Sequence, residues 1–192
     1  MKLYPSTLAI LLVAVLACAA LAQNAPQTAQ TGGQAGAAPQ APPANPVSTE
    51  VKQMYTTIKN NMTKMAEKMP EEHYAFKATA DVRTFGELVG HVADAQARTC
   101  SMLNGAAKAV NGGQKKTKAD LVAALKESFT MCDQAFEGLT DAKAVELVTM
   151  GQRQRSRIGA LAGVVVHSNE EYGYMAVYMR LKGVVPPSSE GR

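Results

Sequence analysis

The chain has 192 residues, 46% of them hydrophobic, and a net charge of +4 that falls by one if Lys2 is removed. So mild a basic excess, gathered at Lys108/Lys115/Lys116/Lys118 and at Arg153/Arg155/Arg157 without interleaved aromatics, excludes a nucleic-acid binder that works by phosphate neutralisation and base stacking. Both clusters read as solvated loops.

The N-terminus has the three parts of a secretory signal. Lys2 supplies a positive charge, an uncharged apolar run extends from Leu8 to Leu21, and Ala20-Leu21-Ala22 offers a small-x-small cleavage site before Gln23. The run is shorter than the roughly 20 residues a membrane span needs, and nothing like a stop-transfer flank follows. An uncleaved anchor is the alternative. Cys18 after Val15-Leu16-Ala17 faintly suggests lipidation, but cleavage after Ala22 fits better. The assignment is therefore residues 1–22 as signal peptide, with the mature protein exported to the periplasm or secreted and no membrane partner after cleavage. Residues 23–47 are dominated by Gln, Ala, Gly and Pro, and Asn24–Pro46 carries no charge. Such a segment has too little large apolar surface to offset its chain entropy and is expected to be a disordered linker. Residues 48–185 then form one domain, long enough to bury a core, and 186–192 a C-terminal tail.

Within that domain the helical period dominates. Val51, Met54, Tyr55, Ile58, Met62 and Met65 recur at spacings of three and four, predicting a first helix from about Thr49 to Lys68 that Pro70 ends. Met54, Met62, Met65 and Met69 could pack in the core or give an adaptable surface for a homodimer. Glu71–Arg83 is irregular with a short turn. Thr84-Phe85-Gly86-Glu87 is a capping box opening a second helix to about Leu103. Asn111-Gly112-Gly113 is a loop. A third helix follows Thr117 with Leu121, Leu125, Phe129, Cys132 and Phe136 as its buried stripe, until Gly138 and Thr140-Asp141 break it. Residues 142–154 are ambiguous, with a short helix at Ala142–Val148 and a loop at Gly151–Gln154 as the expectation. Ser156 caps a long last helix over Arg157–Lys182, and Gly183 stands where a left-handed cap glycine belongs, before Pro186-Pro187. Few strand signals compete. The predicted fold class is all-α, a four-helix bundle.

Three histidines are available. His91 lies midway along the second helix on a face shared with Leu88, Ala95 and Met102 but also Arg98. His167 lies in the last helix on a face with Ala160, Val164, Glu171, Tyr174, Tyr178 and Leu181. His167 and Glu171 are one turn apart, close enough to share a small ion. An inward carboxylate is costly unless paired or metal-bound; a His–Glu hydrogen bond without an ion is the alternative. His73 sits in a charged stretch and reads as a surface residue. Gly86 and Gly90 allow close helix packing. Cys100 lies opposite His91 around its helix, on a face made only partly apolar by Gln96. Cys132 lies on the third helix's core stripe. The two can pair in an oxidising compartment if the register of the helices brings them together.

Two segments carry a family resemblance. Thr84-Phe85-Gly86-Glu87-Leu88-Val89-Gly90-His91-Val92-Ala93-Asp94 resembles the second-helix motif of the DinB-like family, and the stretch from His167 to Ser188, with Glu171, Tyr174, Tyr178 and Pro186-Pro187, resembles its closing motif. Met69-Pro70-Glu71-Glu72-His73-Tyr74-Ala75-Phe76-Lys77 is similar to the lead-in of exported members. The resemblance spans about residues 50–189 and implies a four-helix bundle holding a divalent metal, often zinc or nickel, through three histidines. Carried over, these are His91, His167 and position 171, where this chain has glutamate. The implied site is then two histidines and one carboxylate, or a degenerate and empty one. By resemblance the function is that of a metal-dependent hydrolase or transferase acting on a small molecule, the ion activating water or a thiol, with Tyr174 and Tyr178 lining the pocket. Export weighs against cytosolic-thiol chemistry. The alternative is a non-catalytic metal-binding or stress-related module. Neither reading names the reaction or substrate.

Overall fold

The computed structural model describes residues 44–191. The signal peptide at 1–22, Cys18, and all of the linker before residue 44 lie outside the described residues. These hold α1 (Pro46–Lys68), α2 (Phe85–Leu103), α3 (Lys118–Glu137), the short α4 (Asp141–Ala144), β1 (Leu147–Met150), β2 (Arg153–Ser156) and α5 (Arg157–Leu181), with three one-turn 3-10 segments between and after them. The fold is mostly helical. Each long helix neighbours two others, α1 and α2 both packing on α3 and on α5. No described helix is long and apolar enough to cross a membrane.

The helix ends follow their local chemistry. At α2, Thr84 Oγ1 accepts from Glu87 N at 3.1 Å and Glu87 Oε2 accepts from Thr84 N at 2.7 Å, so the expected capping box is complete. Ser156 accepts from Gly159 N to open α5. Gly183, at φ +71, closes it: Val184 N bonds Met179 O and Gly183 N bonds Arg180 O, the paired bonds of a Schellman cap.

Helix α1 begins at Pro46, two residues inside the stretch assigned to the linker. Proline suits a first helical position, and the cap comes from far along the chain. Asp141 accepts from Val47 N at 3.2 Å, Ser48 N at 2.7 Å and Ser48 Oγ at 2.7 Å. The apolar stripe of α1 is buried at Tyr55, Ile58, Met62 and Met65, and Met69 joins it, but Met54 is 56% exposed. Three of the four methionines therefore pack the core.

The larger departure from the expected architecture lies between α3 and α5. Only Asp141–Ala144 is helical there, and the following residues pair as an antiparallel hairpin with Met150 opposite Arg153. Val148 and Thr149 are β-branched. Gly151, at φ +62, occupies the first of the two loop positions, where a type II′ turn favours glycine. Described residues thus contain the four long helices, a short α4 at Asp141–Ala144 in place of the expected Ala142–Val148 helix, and a hairpin where a loop was expected. Arg157 anchors the hairpin's base through Glu146 Oε2 and the Leu103 carbonyl, both at 3.3 Å.

Helix α2 is fixed on two sides. Toward α3, Cys100 and Cys132 form a disulfide with their Cα atoms 4.9 Å apart. Toward the following loop, Gly90 and Gly112 meet backbone to backbone, and a Cβ on Gly90 would come within 2.6 Å of the Gly112 carbonyl oxygen. Asp94 holds that loop by accepting from Gly112 N at 2.6 Å and Gly113 N at 2.8 Å.

Two outcomes follow from these ties. Replacing Cys100 and Cys132 together by serine should lower unfolding free energy by about 2–4 kcal/mol in urea titrations, because the bridge closes a loop of some 30 residues in the unfolded chain. The Ser48 hydroxyl first, then the Ser48 and Val47 N–H groups, hold the Asp141 carboxyl below its ordinary value of 3.8. A depressed carboxylate contributes stability above the unfolded pKa and loses it as pH falls through the folded one. Asp141→Asn should therefore be less stable than wild type at pH 7, with the gap closing in unfolding curves taken well below pH 3.8.

Candidate metal centre

The i,i+4 spacing on α5 puts Glu171 one turn beyond His167, and the α2–α5 contact brings His91 against both. His91 Nε2 lies 3.1 Å from His167 Nε2 and 3.5 Å from Glu171 Oε1. His167 Nε2 lies 3.6 Å from the same oxygen. The three donor atoms lie within 4.8 Å of one another, a group that could hold a metal ion. His73 is not part of it.

The donor set passes two tests of fit. Ligands about 2.0–2.1 Å from a tetrahedral zinc ion sit roughly 3.3 Å apart, and the three observed separations bracket that spacing. Second, Glu171 is 6% exposed, and its Oε2 is buried without any hydrogen-bond partner. A buried carboxylate with an orphaned oxygen is costly, and a cation shared with the imidazoles would offset that cost. The imidazole side chains are about one-third exposed. Burial first, then the Arg83 guanidinium, hold His91 below its ordinary pKa; His167 and Arg98 add to this and Glu171 opposes it. A lowered pKa keeps the imidazole neutral, the form that ligates metals.

The cluster lies at the junction of three cavities. A cleft of about 650 Å³ is lined by Glu171, Tyr174, Tyr178, Arg83, Asp81 and Leu88. Both expected tyrosines are thus on its wall, but their hydroxyls are committed. Tyr178 donates to the Arg83 carbonyl at 2.8 Å, and Tyr174, 51% exposed, donates to Glu170 at 3.2 Å. A smaller cavity of about 220 Å³ is bounded by His91, His167, Arg98, Arg155 and Gly163. A third, of about 420 Å³, runs past His91 between Arg83, Glu87 and Asp94.

Two supports escaped the sequence reading. Gln96, which made the Cys100 face look only partly apolar, is 1% exposed, and both its amide oxygen and its nitrogen have partners. Its Nε2 donates to Ser168 Oγ at 3.0 Å and its Oε1 accepts from Ser128 Oγ at 3.2 Å, tying α2 to α5 and α3 beside His167. A glutamine on a helix face otherwise rich in alanine was the available signal. Arg155, read as part of a solvated loop, is exposed but lies on β2 and lines the cavity that the histidine pair bounds; that placement depends on the hairpin.

Fold and cluster together define a mostly helical protein whose second and last long helices join two histidines and a glutamate into a candidate metal centre. The sequence profile of the DinB superfamily matches residues 54–175, more than half of the chain, and the chain belongs to that superfamily. Solved relatives agree in fold. A DinB-like protein of Bacillus cereus superposes with a TM-score of 0.61 at 17% identity, covering 72% of this chain and 95% of that one. A DinB-like protein of Bacillus subtilis gives 0.57 at 19% identity, covering 70% and 92%. No curated protein sequence matches this chain.

Substituting Gln96→Leu should leave the Ser128 and Ser168 hydroxyls each short of one partner. The expected loss is about 1–3 kcal/mol of unfolding free energy, measured by chemical denaturation.

Proposed function

We propose that the protein is an exported, divalent-metal-binding DinB-superfamily protein acting as a metal-dependent hydrolase or transferase on a small molecule. The ion, zinc or nickel, is held by His91, His167 and Glu171. The observation that carries this reading is the buried Glu171 carboxylate, with one oxygen facing two imidazole nitrogens and the other unpartnered. Three protein ligands leave coordination positions for water or substrate, as catalytic sites do. When bound, the ion supplies Lewis acidity, lowering the pKa of a water or thiol so that a nucleophile exists near neutral pH.

The chain's own residues support that chemistry in stated ways. Glu171 and the two histidines fix the position at which the nucleophile forms. Leu88 and Tyr178 make one wall of the adjoining cleft, and Arg83 faces it with a positive charge. Export is supported by the N-terminal signal pattern and by the Cys100–Cys132 disulfide, a bond that persists in oxidising compartments. In such a compartment hydrolysis is the better-suited version, because low-molecular-weight thiols are chiefly cytosolic.

One observation favours a second reading, a metal-binding module without turnover. Both tyrosine hydroxyls on the cleft wall are committed to other partners, and Glu87 and Asp94 are spent on backbone N–H groups. Asp81 is then the carboxylate on the cleft wall free of such duties, and an exposed one.

Elemental analysis after loading with zinc or nickel tests the site. Wild type should retain roughly one ion per chain, and His91→Ala and His167→Ala should retain little. Equal, negligible metal in all three would remove the proposal. At a hundredfold excess over Kd the ion should add about 2.7 kcal/mol of stability. Glu171→His should raise affinity if position 171 is a ligand, and turnover assays on the loaded protein then separate enzyme from module.

A further inference from the structure

The 220 Å³ cavity on the other side of the histidine pair from Glu171's cleft has a chemistry of its own. Arg98 from α2 and Arg155 from β2, both exposed to solvent, line it, so two separate elements converge on it. Ion pairs among the described residues join other partners, and none includes Arg83, Arg98 or Arg155. Arg155 is nonetheless held in place. Its Nη2 donates to the Gly159 carbonyl at 2.7 Å, and its guanidinium lies along Gly163, where a Cβ would come within 3.4 Å of both terminal nitrogens. One carbonyl uses one of five guanidinium N–H donors, leaving the rest for a ligand.

We propose that this cavity is an oxyanion pocket. Arg98 and Arg155 grip the phosphate or carboxylate group of a small-molecule ligand, beside the histidines. The space suits such a group with a few waters, each needing about 30 Å³. Paired guanidinium groups are suited to oxyanions because their planar N–H donors match two oxygens at once. The electrostatics point the same way. A divalent ion at the cluster would be balanced by only one ligand carboxylate, Glu171, while Arg83, Arg98 and Arg155 line the cavities around it with no ion-pair partner among the described residues. An anion between Arg98 and Arg155 would relieve that crowding. This assignment deepens the metal reading by naming a ligand class for the same centre, and rests on it only for placing the ion nearby.

The test is calorimetric titration of full-length mature protein with inorganic phosphate and, separately, acetate, after chelator treatment so that anion and metal binding can fail independently. Wild type should bind at least one of the two, identifying the preferred group. Arg98→Gln and Arg155→Gln should each weaken that binding roughly tenfold or more, and the pair together should abolish it. Arg155→Lys should retain part of it, and Arg153→Gln, which removes an equal charge from the same strand, should leave it unchanged. Zinc content after reloading should be the same in all five variants, which shows that the metal centre is intact. Binding of neither anion, or equal binding by wild type and the Arg98→Gln/Arg155→Gln double variant, overturns the pocket whether or not metal binds.

Discussion

A carboxylate that is 6% exposed inside a helical core sets the terms for the centre of this protein. Desolvating a charge is costly, and the i,i+4 geometry of α5 brings only His167 within reach of Glu171. The second imidazole must come from another helix, so α2 has to lie against α5 at this level. Gln96 secures that approach by bonding Ser168, the residue next to His167. On the opposite side of α2 the disulfide and the Ser128–Gln96 bond hold α3. His91 and Cys100 stand nine residues apart on α2, about two and a half turns, and so face opposite sides of the helix. The same helix thus offers a covalent tie on one face and a candidate metal ligand on the other.

Much of this was legible in the sequence because helical period and cap chemistry are local. The capping box at Thr84–Glu87, the stripe of α3 and the Gly183 cap depend on residues a few positions apart, and each stands as the pattern predicts. The pairing of His167 with Glu171 is local in the same sense. Bringing His91 to them required two helices to have a particular register, which the period of either helix alone does not specify. Family resemblance supplied that link. It also supplied the expectation of a histidine at position 171, against which the glutamate stands out.

What escaped notice was encoded non-locally or weakly. The cap of α1 comes from Asp141, more than ninety residues away, so local pattern starts the helix near Thr49, about three residues after Pro46. The hairpin strands are four residues each, too short for alternation to outweigh a helical background, although Gly151 carried the turn signal. Gln96 looked like an intrusion on a small-residue face because its partners, two serines, lie on other helices. In each case the missing information was the identity of a partner distant in sequence.

The hairpin matters beyond architecture because it changes how the basic run 153–157 is divided. Arg153 and Arg155 share one face of β2, so it is their distance from the junction with α5, not alternation, that gives the three arginines different tasks. Arg153 and Arg155 are both exposed, but Arg155 folds back along α5 to line the cavity beside the histidine pair, and Arg157 ties the hairpin's base to Glu146 and to the end of α2. Had residues 145–156 continued as helix, Arg155 would have lain on a helix surface at a rotation fixed by α5. The short strand lets it fold back over Gly163, a position without a side chain to obstruct it. Charge at the centre is therefore set by two independent choices. A carboxylate at 171 lowers the charge among the ligands by one relative to a third histidine, and a strand beside α5 adds a cation at the rim. Together, in the proposed metal site, they would move positive charge from the ligand set to the pocket wall, where it would act on what approaches an ion rather than on the ion itself.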